Sequence, residues 1–196
     1  MRPTLSNLET TDRTLVITDA LDHLSQTKLR GVSYLERWLK QTKDVEIRVG
    51  LETQLIDERR HARLLAEETK RLSSVAFTRH SPPALGGLYR EIDALETDLH
   101  RLCVFHRGVK AFTLNRCGHL IPVVETGLSR TLEQISREEE RHIRWADIRL
   151  ARLLTHDEMR SCNLLMSRIW AVLEASWERT WRDLARTNQV QTAASS

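Results

Sequence analysis

Two Glu-x-x-His motifs combine the residue types and the spacing that metal chemistry requires. Glu58 and His61 form the first motif, and Glu139 and His142 form the second, 81 residues later. Residues three positions apart share one face of a helix, so each motif directs a carboxylate and an imidazole to the same side. These ligand types suit iron, manganese and zinc. The duplicated spacing therefore predicts one metal site assembled from two helices.

The composition favours an all-α domain as the support for these motifs. Of the 196 residues, 40% are hydrophobic and 29% are charged, while only seven are Gly and four are Pro. Such a chain has a globular composition and few of the residues that a sheet-rich fold needs at its turns. We therefore expect helices, with the charged residues on their solvent-exposed faces.

Charge and cysteine content limit the classes of partner. The formal net charge is +3, but the basic residues alternate with acids along the predicted helices, which does not favour nucleic-acid binding. The three cysteines lack metal-binding spacing, and the N-terminus lacks a signal-type apolar run. No apolar stretch reaches the length of a membrane span. These features predict a cytoplasmic protein without a membrane partner.

Hydrophobic periodicity and breaker residues divide the chain into five helices. We predict them over residues 14–41, 45–73, 88–114, 123–154 and 155–186. The breakers Ser81-Pro82-Pro83 and Gly86-Gly87 predict a long connection between the second and third helices. The predicted organisation is an N-terminal arm (1–13), a bundle (14–154), a C-terminal Trp-rich helix packed on that bundle (155–186) and a disordered tail (187–196).

The first and second pairs of helices resemble each other. Arg30-Gly31-Val32 is echoed by Arg107-Gly108-Val109, and the residues around the first Glu-x-x-His are echoed by those around the second. This repetition fits two helical hairpins related by a pseudo-twofold axis. With short, long and short connections, four such helices form an antiparallel bundle with one crossover.

This layout resembles the ferritin-like superfamily of carboxylate-bridged di-iron and di-manganese proteins. The resemblance covers residues 14–154 and implies that Glu58 and Glu139 bridge or chelate metals, while His61 and His142 each bind one ion. It further implies one or two iron or manganese ions, with zinc also suited to the ligands. An oxidoreductase that activates oxygen or peroxide for a small-molecule substrate, through non-haem iron or manganese, would follow.

The ligand set departs from the family pattern. In such bundles a further carboxylate lies roughly thirty residues before each Glu-x-x-His motif. The corresponding windows, residues 25–30 and 105–110, contain no acid. His106 is the natural metal ligand at that height, whereas Glu36 and Asp22 lie at the wrong heights. Glu96 also lies at the wrong height unless the turn at residues 115–122 is shifted. The predicted site therefore consists of an incomplete ligand set: Glu58, His61, Glu139, His142 and His106.

Two other interpretations of the cluster remain open. In one, metal binding has been lost, and Lys28 opposite Glu58 forms a buried ion network in a non-catalytic scaffold or interaction protein. Against this, a long lysine side chain favours a rim position with its ammonium turned outward. In the other, the motifs are coincidental and face solvent.

The remaining features receive simpler interpretations. Trp170, Leu173, Trp177, Trp181 and Leu184 form a stripe on the fifth helix. We expect this stripe to pack the helix onto the bundle, with a homodimer interface or a hydrophobic substrate wall as the alternatives. Glu138 and Glu140 are predicted to face solvent. Five histidines are also predicted to be exposed, namely His23, His80, His100, His119 and His156.

Overall fold

The structure, a computed structural model, describes the backbone of residues 10–73 and 83–194 and the side chains of residues 13–73 and 86–178. Its described residues form helices and connections without a strand, which confirms the all-α prediction. The α-helices are α1 Thr10–Leu39, α2 Val45–Leu72, α3 Pro83–Asp93, α4 Asp98–Leu102, α5 Ala111–Leu120, α6 Thr126–Leu153 and α7 His156–Ala194. In the described part of the chain, no helix combines the length and apolar character needed to cross a membrane.

A short connection makes α1 and α2 a helical hairpin. Asp44 caps α2, because its side chain accepts a hydrogen bond from the Ile47 N–H at 2.9 Å. Leucines at helical spacing face the partner helix, and Leu21, Leu35 and Leu51 are fully buried. Burial of these apolar side chains stabilises the hairpin and sets the register between the two helices.

The prediction of a single third helix over residues 88–114 is wrong. The chain forms the short helix α3, breaks at residues 94–97 and starts again where the Thr97 hydroxyl accepts a hydrogen bond from the His100 N–H. Gly86 and Gly87, predicted as breakers, lie inside α3. Of the other predicted breakers, Ser81 and Pro82 fall outside the described residues, and Pro83 is the first residue of α3, where its missing N–H costs nothing.

A π-helical segment, Cys103–Lys110, joins α4 to α5. We refer to residues 98–120, which comprise α4, this segment and α5, as the composite helix. The wider turn of the π-helix is common at functional sites. Seven of the eight residues in the segment are buried, including His106 and Lys110. The segment therefore directs two titratable side chains into the interior from adjacent turns.

The helices α2 and α6 run antiparallel along their length. The ion pairs Arg149–Glu46, His142–Asp57 and Arg71–Glu125 show residue numbers rising on α2 as they fall on α6. This pairing places the two Glu-x-x-His motifs at the same height. They can therefore contribute to one site.

The last helix is longer than predicted. Thr155 begins α7 with a capping box, in which the Thr155 N–H donates to the Glu158 carboxylate at 2.8 Å. The helix continues to Ala194, past the expected end at Arg186, so the predicted disordered tail is helical through residue 194. At the other end, residues 10–13 of the predicted N-terminal arm belong to α1, and residues 1–9 lie outside the described residues.

Gly50 permits the close approach of α2 and α6. A Cβ atom at this position would lie 2.1 Å from Cζ2 of Trp145, so the rigid indole ring occupies that space. We expect Gly50→Ala to destabilise the protein by about 1–3 kcal/mol, because forced displacement of the ring outweighs the better helix propensity of alanine. Chemical denaturation followed by circular dichroism measures this change.

Gly118→Ala is the matched control for Gly50. Gly118 also lies within a helix, but nothing lies within 4 Å of an added Cβ. This substitution should stabilise the protein by about 0.5–1 kcal/mol through helix propensity alone. Equal effects at the two glycines would contradict the role assigned to Trp145.

Candidate functional site

Four helices bring two lysines and two glutamates together in the interior. Lys28 of α1 lies 2.7 Å from Glu139 and 3.2 Å from Glu58, measured from its Nζ to the nearest carboxylate oxygens. Lys110 of the π-helical segment lies 3.1 Å from Glu139 and also contacts Glu58. All four side chains are at most 3% exposed. Each ammonium therefore bridges both carboxylates.

The two lysines occupy equivalent positions in the two hairpins. Lys28 precedes Glu58 by 30 residues, and Lys110 precedes Glu139 by 29 residues. These are the windows in which the resemblance implies a carboxylate. The expectation that Lys28 lies at the rim with its ammonium in water is wrong. The contacts of Lys28 match the other interpretation, in which it pairs with Glu58 inside the protein.

His142 connects this cluster to a more exposed acid. Its Nδ1 lies 3.3 Å from the Lys110 Nζ, and its Nε2 lies 3.0 Å from the Asp57 carboxylate. With a proton on Nε2, the imidazole donates to Asp57 and leaves Nδ1 to accept from the Lys110 ammonium. His142 is thus held from both sides.

His61 has the reciprocal arrangement. Its Nε2 lies 2.6 Å from Glu138, and its Nδ1 lies 3.1 Å from Glu139. Glu138, which precedes Glu139, thus contacts His61 of the first motif. Asp57, which precedes Glu58, contacts His142 of the second motif. The prediction that Glu138 faces solvent is wrong, because this residue is only 8% exposed. Burial alone would raise the pKa of Glu138, but hydrogen bonds from His61 and Arg60 lower it.

His106 lies beside the cluster and has other partners. Its Nδ1 lies 3.0 Å from the Leu102 carbonyl oxygen, and its Nε2 lies 2.8 Å from the Gln54 side chain. Burial and the nearby charge of Lys110 hold the pKa of His106 well below its usual value. The residue that the composite helix directs at the glutamates is therefore Lys110, one turn further along.

The surroundings of Lys28 and Glu139 favour the charged forms of these two side chains. Burial alone would lower the pKa of Lys28, but the carboxylates of Glu139 and Glu58 raise it above its usual value. Burial alone would raise the pKa of Glu139, but Lys110 and Lys28 hold it well below the ordinary range. Two ammonium groups and two carboxylates balance in charge, which is the condition for keeping ions away from water.

Three side chains of the cluster bring potential metal ligands together. One ligand atom each from Glu58, Glu139 and His142 lies within 4.8 Å of the others, and these residue types bind first-row metals. However, the Lys110 ammonium contacts all three residues. An ammonium has no lone pair to offer and repels a second cation. With Lys110 in this place, the residues do not fit a metal ion.

A second polar group lies where α7 packs on the composite helix. The buried guanidinium of Arg116 lies 4.6 Å from the Phe112 ring centroid and 5.2 Å from that of Trp177. His23 meets Trp177 edge-on, with ring centroids 5.3 Å apart. The predicted exposure of His23 is wrong, since this side chain is buried. His80 lies outside the described residues.

The chain matches no known protein family, no curated protein and no solved structure. The contacts of the buried cluster are therefore the basis on which a function can be proposed.

Proposed function

We propose that this protein is a non-catalytic, ferritin-like helical scaffold in which two lysines, rather than metal ions, join the central helices. The observation that carries this proposal is the Lys110 ammonium, which contacts Glu58, Glu139 and His142 together. These are the side chains that would otherwise form a metal site. A scaffold needs the charge balance that the lysine supplies, whereas a redox metal centre needs ligand lone pairs and an open coordination position.

The helix arrangement supports the ferritin-like part of the proposal. The helices α1 and α2 form one hairpin, and the composite helix and α6 form another, with the connection containing α3 between them. Each hairpin contributes one lysine and one Glu-x-x-His motif to the cluster. An antiparallel bundle with one long crossover brings equivalent side chains from all four helices to one level.

The surface of α2 supports a role in association. Val45, Val49 and Ile56 are 71%, 57% and 64% exposed, and they lie along one side of the helix. These exposed apolar side chains are available for contacts with a partner. The buried ion network would then fix the relative positions of the helices that present this surface, a role for which such networks are better suited than for adding stability.

Metal-dependent oxidoreductase activity is the second candidate function. It is favoured by the proximity of ligand atoms from Glu58, Glu139 and His142, which lie within 4.8 Å of one another. Iron, manganese or zinc suits this ligand set. If Lys110 turned away, these residues would hold the ion, and His61 would be the further imidazole at the same level. An iron or manganese ion there would supply the chemistry of oxygen or peroxide activation, whereas zinc is not redox-active.

Metal content and oxygen consumption distinguish the two candidates. For the full-length protein reconstituted with iron, manganese or zinc, we expect elemental analysis to find far less than one equivalent and an oxygen electrode to detect no consumption. His142→Ala should change neither quantity. Stoichiometric metal with oxygen consumption, both lost in His142→Ala, would instead establish the oxidoreductase and overturn the scaffold.

A further inference from the structure

We infer that Lys28 and Lys110 are the resident cations of this core, and that Lys110 in particular excludes metal ions from the group formed by Glu58, Glu139 and His142. This inference rests on the proposed metal-free scaffold and gives its physical cause. In this inference the two lysines neutralise the buried carboxylates in place of metal ions.

The Lys110 ammonium occupies the point at which three potential metal ligands meet. It lies 3.1 Å from Glu139 and 3.3 Å from the His142 Nδ1, and it contacts Glu58 as well. Two oxygens and one nitrogen directed at a single point are the donors that a three-ligand metal site uses. Here the chain's own cation stands at that point. A metal ion could enter only by displacing it.

The pseudo-twofold repetition brings a second lysine to the same carboxylates. Lys28 contacts the same two carboxylates, at 2.7 Å from Glu139 and 3.2 Å from Glu58. In each hairpin, the lysine lies on the helix that pairs with the Glu-x-x-His helix. It lies at the same height as the glutamate of that motif. Two carboxylates therefore face two cations, as they would face two metal ions in a dinuclear centre.

The two lysines and the two motif glutamates balance in charge. Glu58 and Glu139 together carry the charge that Lys28 and Lys110 compensate, and all four groups are buried. The outer acids Glu138 and Asp57 pair with the imidazoles and do not reach the ammonium groups in the described contacts. Removing Lys110 would leave an excess negative charge next to three donor atoms. Such a site attracts a divalent cation.

The substitution Lys110→Met tests the inference with little change in packing. Methionine keeps an unbranched apolar chain that is one atom shorter, so it vacates the position of the ammonium nitrogen. Lys28→Met is the matched control, since it removes the other buried lysine and leaves Lys110 in contact with the three donors. Lys110→Arg keeps a positive charge at the position and should not create a metal site.

Cobalt and zinc are suitable probes for the full-length protein and its variants. We expect Lys110→Met to retain about one equivalent of Co²⁺ or Zn²⁺ after gel filtration, with visible Co²⁺ absorption and binding about 100-fold tighter than in the unsubstituted protein. The control variants should bind no more tightly than the unsubstituted protein. Adding His142→Ala to Lys110→Met should abolish the gain.

Two results would overturn the inference. One is a helical Lys110→Met variant that gains no affinity for either metal. The other is an equal gain in Lys28→Met, which would show that position 110 has no particular part in excluding metal. Metal content and oxygen consumption of the unsubstituted protein test the scaffold proposal separately. Failure of the Lys110 inference would leave that result unchanged.

A folding measurement covers the case in which Lys110→Met is unfolded without metal. The variant is then refolded from denaturant with Zn²⁺ or with Mg²⁺, alongside the unsubstituted protein. Recovery of the helical circular dichroism signal with Zn²⁺ alone supports the inference, because a zinc ion bound to two carboxylates and an imidazole would replace the missing cation. Failure to recover with either metal overturns it.

Discussion

Glu139→Gln is expected to destabilise the protein by about 3–5 kcal/mol at neutral pH. The side chain is fully buried, and its oxygens lie 2.7 Å from Lys28 and 3.1 Å from Lys110. Glutamine has nearly the same shape, so the packing is preserved while the negative charge is removed. The two ammonium groups would then share one remaining carboxylate, that of Glu58. Urea denaturation of both proteins measures the loss.

The pH dependence of this loss has a definite sign. The folded-state pKa of Glu139 lies well below 4.5, because Lys110 and Lys28 outweigh the effect of burial. A depressed carboxyl pKa contributes stability that is present above the unfolded pKa, and this contribution is lost as the pH falls through the folded pKa. The difference in unfolding free energy between the two proteins should therefore shrink on acidification below about pH 4.5.

Glu140→Gln is the control for the Glu139 prediction. Glu140 is the exposed neighbour on the same helix, and its substitution should change the unfolding free energy by less than about 0.5 kcal/mol. A Glu139→Gln variant as stable as the Glu140→Gln variant would refute the importance of the buried ion pairs. A difference in unfolding free energy between the unsubstituted protein and Glu139→Gln that stays constant from neutral to acidic pH would also refute it.

Periodicity was sufficient to predict which acids and imidazoles of the two motifs point inward. Glu58, His61, Glu139 and His142 fall on the apolar stripes of α2 and α6, and all four side chains are buried. Long helices with leucines at regular spacing have one burial pattern that satisfies the hydrophobic effect. The sequence therefore favours the interior for these residues, and their burial rules out the alternative in which the motifs face solvent.

The lysines were harder to predict because a lysine beside an apolar stripe usually extends to the rim. The signal that could have identified them is their repetition at equivalent heights. Lys28 lies 30 residues before Glu58, and Lys110 lies 29 residues before Glu139. A single buried lysine is improbable, but two at matching positions can compensate two buried carboxylates. A search of those windows for acids alone passes over this possibility.

Other parts of the site depend on tertiary structure. The π-helical segment, Cys103–Lys110, has no local sequence signature that separates it from an α-helix, although it decides which side chains of the composite helix reach the interior. The contacts of Glu138 with His61 and of Asp57 with His142 arise only when α2 and α6 pair in one register. Helical spacing within one element cannot reveal either.

Trp177→Ala is expected to destabilise the protein by about 3–5 kcal/mol, because it removes a large side chain that is only 4% exposed. The indole and the Phe112 ring meet edge-on, and both contact the Arg116 guanidinium. The cost therefore includes a buried cation that loses one of its aromatic contacts. Chemical denaturation measures the change, and Leu164→Ala, at a 69% exposed position of the same helix, is the control.

Two further measurements separate this packing role from a homodimer interface formed by the tryptophan stripe. Burial and the charge of Arg116 lower the pKa of His23 to about 4, and the loss of Trp177 exposes this imidazole. In the variant, nuclear magnetic resonance titration should therefore place the pKa of His23 nearer the ordinary value of 6.5. Light scattering should find the same molecular mass for both proteins. If the molecular mass changed while the unfolding free energy and the His23 pKa were preserved, Trp177 would instead belong to a subunit interface. An interface residue acts through association and not through the packing of its own chain.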